Sequence, residues 1–174
     1  MKQSLFIMLG YPCSGKSYFA RKLADHYRFI RLNGDSIRYA MFDNEEDRGP
    51  QNNHLVFSAL DYVTKEILRS GHSVIYDASH NKASNRESAS SLALPFSLKP
   101  ILIWVQVPLD IARERLMNRE KLPDQPIISD KRFNQLVGDL HAPNDNELCI
   151  IIDGSKPFAD QLISFQSQVE KINV

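Results

Sequence analysis

The residues best suited to chemistry stand near the start of the chain. Gly10, Gly15, Lys16 and Ser17 keep the spacing G-x-x-x-x-G-K-[ST] within Gly10-Tyr-Pro-Cys-Ser-Gly-Lys-Ser17. That spacing is the Walker A pattern of phosphate-binding loops. Glycine at both ends lets the backbone take conformations a β-carbon would block, so successive N–H groups can turn inward onto phosphate oxygens. Lys16 adds a point charge that reaches β- and γ-phosphates, and the Ser17 hydroxyl is a hard oxygen suited to Mg2+.

Such a loop must follow a strand and open a helix. Ser4–Leu9 is a short apolar run of the kind found in a strand buried on both faces. After Ser17, Phe19, Ala20, Leu23, Ala24 and Tyr27 recur at helical spacing. The helix would aim its first N–H groups and its dipole at the anion. The nucleotide-contacting stretch is therefore expected at Gly10, Pro12, Cys13, Ser14, Gly15, Lys16, Ser17 and Tyr18. Cys13 serves there as a spacer whose backbone N–H matters more than its thiol.

The chain then alternates strand and helix. Strands are expected at 28–32, 73–76, 101–107 and 148–152. Apolar helical stripes run through Ile37, Ala40 and Met41; Val56, Leu60, Val63 and Ile67; Leu109, Ala112 and Leu116; Phe133, Leu136, Val137 and Leu140; and Phe158 to Ile172. A polar helix is expected within 79–97, and Ser129 is placed to cap the helix after it. Pro123 and Pro126 exclude regular helix over 120–128. Five parallel strands with right-handed crossovers predict an α/β fold: a three-layer P-loop NTPase architecture, helices on both faces of the sheet.

In such sheets ligands bind beyond the carboxyl ends of the strands. After the second strand come Asp35 and Arg38. Asp35 beside the phosphate loop can take a proton from an acceptor hydroxyl, and Arg38, three residues on, can hold an anionic or polar acceptor group. The competing reading makes Asp35 a helix cap and Arg38 a solvated cation. After the third strand, Asp77 is either an Mg2+-linked carboxylate or a substrate contact, and Arg86 follows in the same stretch. His80 reads as a loop residue. Beyond the fourth strand, Arg115 and Arg119 share a helix face and lead into a proline-containing segment, which suits a small lid over 115–130. Gly154 and Ser155 are placed to line a base pocket.

The 174 residues are most simply one domain, and 43% hydrophobic content is ordinary for a globular chain. Twenty-one basic residues balance 21 acidic ones. That balance gives no support to a dominant nucleic-acid or membrane surface, and leaves a local basic groove open. Two cysteines make no disulfide framework, and the first apolar run is too short for a signal peptide core or membrane span, so a reducing cytoplasmic setting is expected.

Taken together, GYPCSGKS, LNGDSIR, VIYDASHNKASNR and VPLDIARERLMNR resemble the P-loop kinases of the AAA_33 and zeta-toxin-like type, most of all the 5′-hydroxyl polynucleotide kinase domain. The resemblance implies ATP and Mg2+ held by Lys16 and Ser17, Asp35 as general base, Arg38 positioning the acceptor and Arg119 as lid arginine. The expected activity is γ-phosphoryl transfer to a hydroxyl, of a polynucleotide 5′ end or of a small molecule or sugar nucleotide. An ATPase or nucleotide switch without a phosphorylated product is the other reading, and it has no need of Asp35.

Overall fold

A computed structural model describes residues 1–119 and 127–172. Five strands, β1 (Leu5–Leu9), β2 (Ile30–Asn33), β3 (Val74–Asp77), β4 (Ile101–Gln106) and β5 (Cys149–Asp153), form one sheet in the order β2-β3-β1-β4-β5. Every pairing is parallel. The helices are α1 (Lys16–Tyr27), α2 (Gly34–Met41), α3 (Asn53–Arg69), α4 (Ala83–Ser91), α5 (Leu109–Met117), α6 (Asp130–Gly138) and α7 (Phe158–Ile172).

The central strand explains the layering. All five residues of β1 are fully buried, and their side chains alternate between two cores. Phe6 and Met8 join Phe19 and Leu23 of α1 and Phe165 and Val169 of α7. Leu5 and Ile7 join Val56, Leu60 and Leu68 of α3 and Leu92 beyond α4. A third, small cluster of Val107, Ala112 and Phe133 fixes α6 against α5. Each fully buried residue of this size contributes on the order of 1.5–3 kcal/mol. Among the described residues no helix is long and apolar enough to cross a membrane.

Several details depart from the sequence reading: Ala40 and Met41 of α2 are exposed, and α3 buries Thr64 and Leu68 where Val63 and Ile67 were expected. The second strand starts at Ile30 rather than Arg28, because Arg28 caps α1 in the left-handed region at φ 60 and donates its N–H to Ala24. Leu109 is exposed at the start of α5, and Ala112 takes the fully buried position. The polar segment 79–97 is a short α4 followed by a 3-10 turn at Leu94–Phe96. Ser129 caps α6 as read, accepting from Arg132 N.

Candidate functional site

The phosphate loop is packed so closely that side chains are excluded. A β-carbon on Gly10 would stand 2.4 Å from the Val105 carbonyl oxygen, and one on Gly154 would stand 2.2 Å from the Ser14 carbonyl oxygen. Gly10 (φ 144), Cys13 (φ 62) and Gly15 (φ 100) all have positive φ. Cys13 shares with the two glycines the work of bending the loop. Two side chains tie it down from outside. Asn81 Oδ1 accepts from Gly10 N at 3.2 Å, while Asn81 Nδ2 reaches the Leu136 carbonyl of α6. Arg115 donates to the Gly154 carbonyl at 3.0 Å and to those of Cys13 and Ser14 at 3.5 Å.

Lys16 Nζ lies across the loop and donates to the carbonyls of Gly10 (2.9 Å) and Tyr11 (2.7 Å). Burial lowers its pKa against the opposing pull of Asp77. Ser17 Oγ donates to Asp77 Oδ1 at 3.2 Å. The other oxygen of Asp77 accepts from Arg31 Nε (2.9 Å), Arg31 Nη2 (2.5 Å) and Asn33 Nδ2 (2.8 Å).

Asn33 decides the reading of Asp35. Its side chain is the N-cap of α2, accepting from Ser36 N at 2.9 Å. Asp35, in the first turn, is not spent as the cap. Its carboxyl is exposed to the open cleft, where partial desolvation by the surrounding walls, then the charge of Asp77, raises its pKa; Arg38, Lys16 and Arg119 act in the opposite sense. Arg38 donates to the carbonyls of Arg48 (3.2 Å) and Gly49 (3.3 Å) and to Asn53 Oδ1 (2.5 Å), so it fastens α2 to the segment ahead of α3.

These groups open onto one cavity of about 1190 Å³. Gly10, Pro12, Cys13, Gly15, Lys16, Ser17, Tyr18, Asp35, Arg38, Asp77, Arg115 and Arg119 all line it, as do Gly154 and Ser155. The stretch 120–126, the middle of the expected lid, lies outside the described residues. Two expected site residues are corrected. Ser14 is buried beneath the loop, and only its backbone takes part. Arg86 is fully buried and does not border the cavity. Its guanidinium pairs with Glu147 (2.7 and 3.0 Å) and reaches the carbonyls of Asn81 (3.1 Å) and His141 (3.0 Å), leaving no donor for a substrate. It anchors the segment ahead of β5. His80 is also buried, edge-on to Tyr76 with ring centroids 4.6 Å apart, and burial lowers its pKa to about 4.

The sequence reading missed Arg31, Arg48 and Arg132, which also border the cavity. Arg31 was findable, because it stands two residues before Asn33 on the same face of a strand. Among the described lining residues there are nine Lys and Arg against two acids, Asp35 and Asp77. The donor set fits a hard divalent cation: a hydroxyl and a carboxylate, already hydrogen-bonded to each other, beside an amide cradle. No group of three or more His, Cys, Asp or Glu gathers among the described residues.

The Arg86–Glu147 pair yields a stability prediction. The hydrogen bond from Arg86 holds the Glu147 carboxyl below its ordinary value of 4.5. A depressed folded-state pKa contributes stability above pH 4.5, lost as pH falls through the lower folded value. Glu147→Gln is expected to lose roughly 3–5 kcal/mol at neutral pH, since it leaves the Arg86 charge buried and unpaired. Urea titrations from pH 7 down to pH 3 should show a flatter acid decline for this variant than for wild type.

Comparisons with known proteins agree with this architecture. A family model described as an AAA domain, AAA_33, matches residues 5–140. A cytidylate kinase of Methanocella arvoryzae is 27% identical over 125 residues, a match spanning 68% of this chain and 65% of that protein. Among solved structures, a sugar kinase of Janibacter sp. HTCC2649 superposes with a TM-score of 0.71 at 17% identity, covering 97% of this chain and 95% of its own. The Pnkp1/Rnl/Hen1 RNA repair complex aligns with a TM-score of 0.62 at 21% identity, over 79% of this chain and 45% of that one. With well over half of its length matched, the chain belongs to the AAA_33 family, and its sheet and phosphate loop are those of the P-loop kinase fold.

Proposed function

We propose that this chain is an ATP-dependent phosphotransferase acting on a hydroxyl acceptor. One observation carries the reading: Asp35, not used as a helix cap, shares a cavity with Lys16 and Ser17. In this account the backbone N–H groups of Cys13, Gly15, Lys16 and Ser17 hold the phosphates. Lys16 exchanges its two carbonyl partners for the β- and γ-phosphates, a short movement of a flexible stem. Ser17 Oγ and Asp77 Oδ1 would hold Mg2+, which would supply neutralisation of the charge developing on the phosphates.

Asp35 is the general base. The acceptor oxygen bonds to the γ-phosphorus, its proton passes to the Asp35 carboxylate, and the bond to the β–γ bridging oxygen breaks with its electron pair leaving on ADP. Arg119 brings positive charge to the transferring group, Arg115 steadies the nucleotide side and Arg38 the acceptor side. The whole chain then works as a single kinase domain.

The acceptor proposed first is the 5′-hydroxyl of a nucleic-acid end. The excess of positive charge in the cleft supports it, because Arg38, Arg48 and Arg132 add to the cations expected around ATP. Half-buried Phe57 offers apolar surface beside them. A neutral sugar would leave much of that charge unused.

Two measurements test this. Asp35→Asn should retain ATP binding and lose on the order of 10²–10⁴ in turnover. The wild-type kcat/KM should fall on acidification above the ordinary aspartate range, since a raised pKa protonates the base sooner, and the variant should lose that limb. Unchanged turnover would reject Asp35 as base and favour a nucleotide switch. For the acceptor, three phosphate contacts to a single strand predict roughly a 20-fold rise in KM between about 50 and 200 mM salt. A KM insensitive to salt would point to an uncharged acceptor.

A further inference from the structure

Asp77 is held from the side away from the phosphate loop. Oδ2 accepts three N–H bonds, two from Arg31 (2.9 and 2.5 Å) and one from Asn33 (2.8 Å). Among the described residues, Oδ1 accepts from Ser17 Oγ alone, at 3.2 Å. Arg31 and Asn33 are alternate residues of β2, and the parallel register sets Asn33 directly opposite Asp77. Their side chains therefore reach the same carboxylate from one strand face. A carboxylate oxygen has two lone pairs, so three donors leave Oδ2 no direction for another ligand. Asp77 itself is 3% exposed, while Arg31 borders the cavity.

We infer that Arg31 is a positioning residue for the metal side of this site: it occupies Asp77 Oδ2 and turns Oδ1 to Ser17, so that Asp77 serves the cation through the serine side rather than by seizing it. The inference rests on the kinase reading above. An ordinary structural ion pair would stabilise the sheet edge and do nothing more. A positioning pair does two things besides. It withholds a strong oxygen ligand from the cation, and it sets a positive charge next to that ligand. Removing Arg31 therefore strengthens divalent-cation binding while spoiling its placement, a combination that loss of stability cannot produce.

The test uses the full chain as wild type, Arg31→Gln and Arg31→Lys. ATP affinity is measured by calorimetry across a Mg2+ series, with thermal melts alongside. Arg31→Gln is expected to lower the half-saturating Mg2+ concentration about tenfold, the loss of one neighbouring like charge and the release of one oxygen. Its turnover should fall in parallel. Arg31→Lys keeps the charge but loses the planar fork, so its shift should have the same sign and be about threefold. If Arg31→Gln does not fold, the lysine variant decides alone. Wild-type binding of Mg-ATP with an unchanged Mg2+ requirement in the variants overturns this inference only. A wild-type chain that binds no ATP at any Mg2+ concentration overturns the site reading and this inference together.

Discussion

The site depends on a backbone contact that leaves no room for a β-carbon. The phosphate loop is pressed between the end of β4 and the turn after β5, where Val105 and Gly154 meet Gly10 and Ser14. This seam forces the positive φ values at Gly10, Cys13 and Gly15 and delivers the chain into α1 with Lys16 and Ser17 at its first positions. The ties from Asn81 and Arg115 hold the loop from opposite sides. They also join it to α6 and to the β5–α7 turn, so the loop, the acceptor wall and the nucleotide wall share one framework.

The electrostatics of the cleft run against those of the whole chain. Formal charge sums to zero over 174 residues, yet the cavity wall is strongly cationic among its described residues. Field strength follows the arrangement of charge, and a cleft with low-dielectric walls focuses it. The two acids in that wall are treated differently. Arg31 and Asn33 fill Oδ2 of Asp77 and turn Oδ1 to Ser17, whereas Asp35 stays open to the cleft and has its pKa raised by desolvation and by Asp77. This division separates a carboxylate that orders the site from one able to accept a proton.

Much of the fold was legible because its signals are local. Apolar runs marked β1 and β4, and the stripe of α1 matched its buried residues, whereas α3 buries Thr64 and Leu68 beside Val56 and Leu60 where Val63 and Ile67 were expected. The loop spacing placed Lys16 and Ser17 correctly at the cavity. What was hidden depends on pairing across the chain. Nothing near Arg86 signals Glu147, 61 residues away, so a buried clamp read as a substrate contact. The start of β2 was misjudged because Arg28, in a left-handed conformation, ends α1 instead. Arg31 was missed because its partner Asp77 lies 46 residues away and is brought to it by the β2–β3 register. The sequence reading weighed Asp35 as a helix cap, and the hydrogen bond from Ser36 N shows that Asn33 caps α2 instead.

The central claim is that Asp35 faces a terminal phosphate held by the glycine-rich loop. A crystal structure of the chain with ADP, Mg2+ and aluminium fluoride, the mimic of a phosphoryl group in flight, tests it most directly. The account predicts fluoride seated over Lys16 and Ser17, with an apical oxygen within roughly 2.6–3.2 Å of the Asp35 carboxylate. An analogue bound away from the loop, or an Asp35 carboxylate separated from the fluoride by packed side chains, would contradict it.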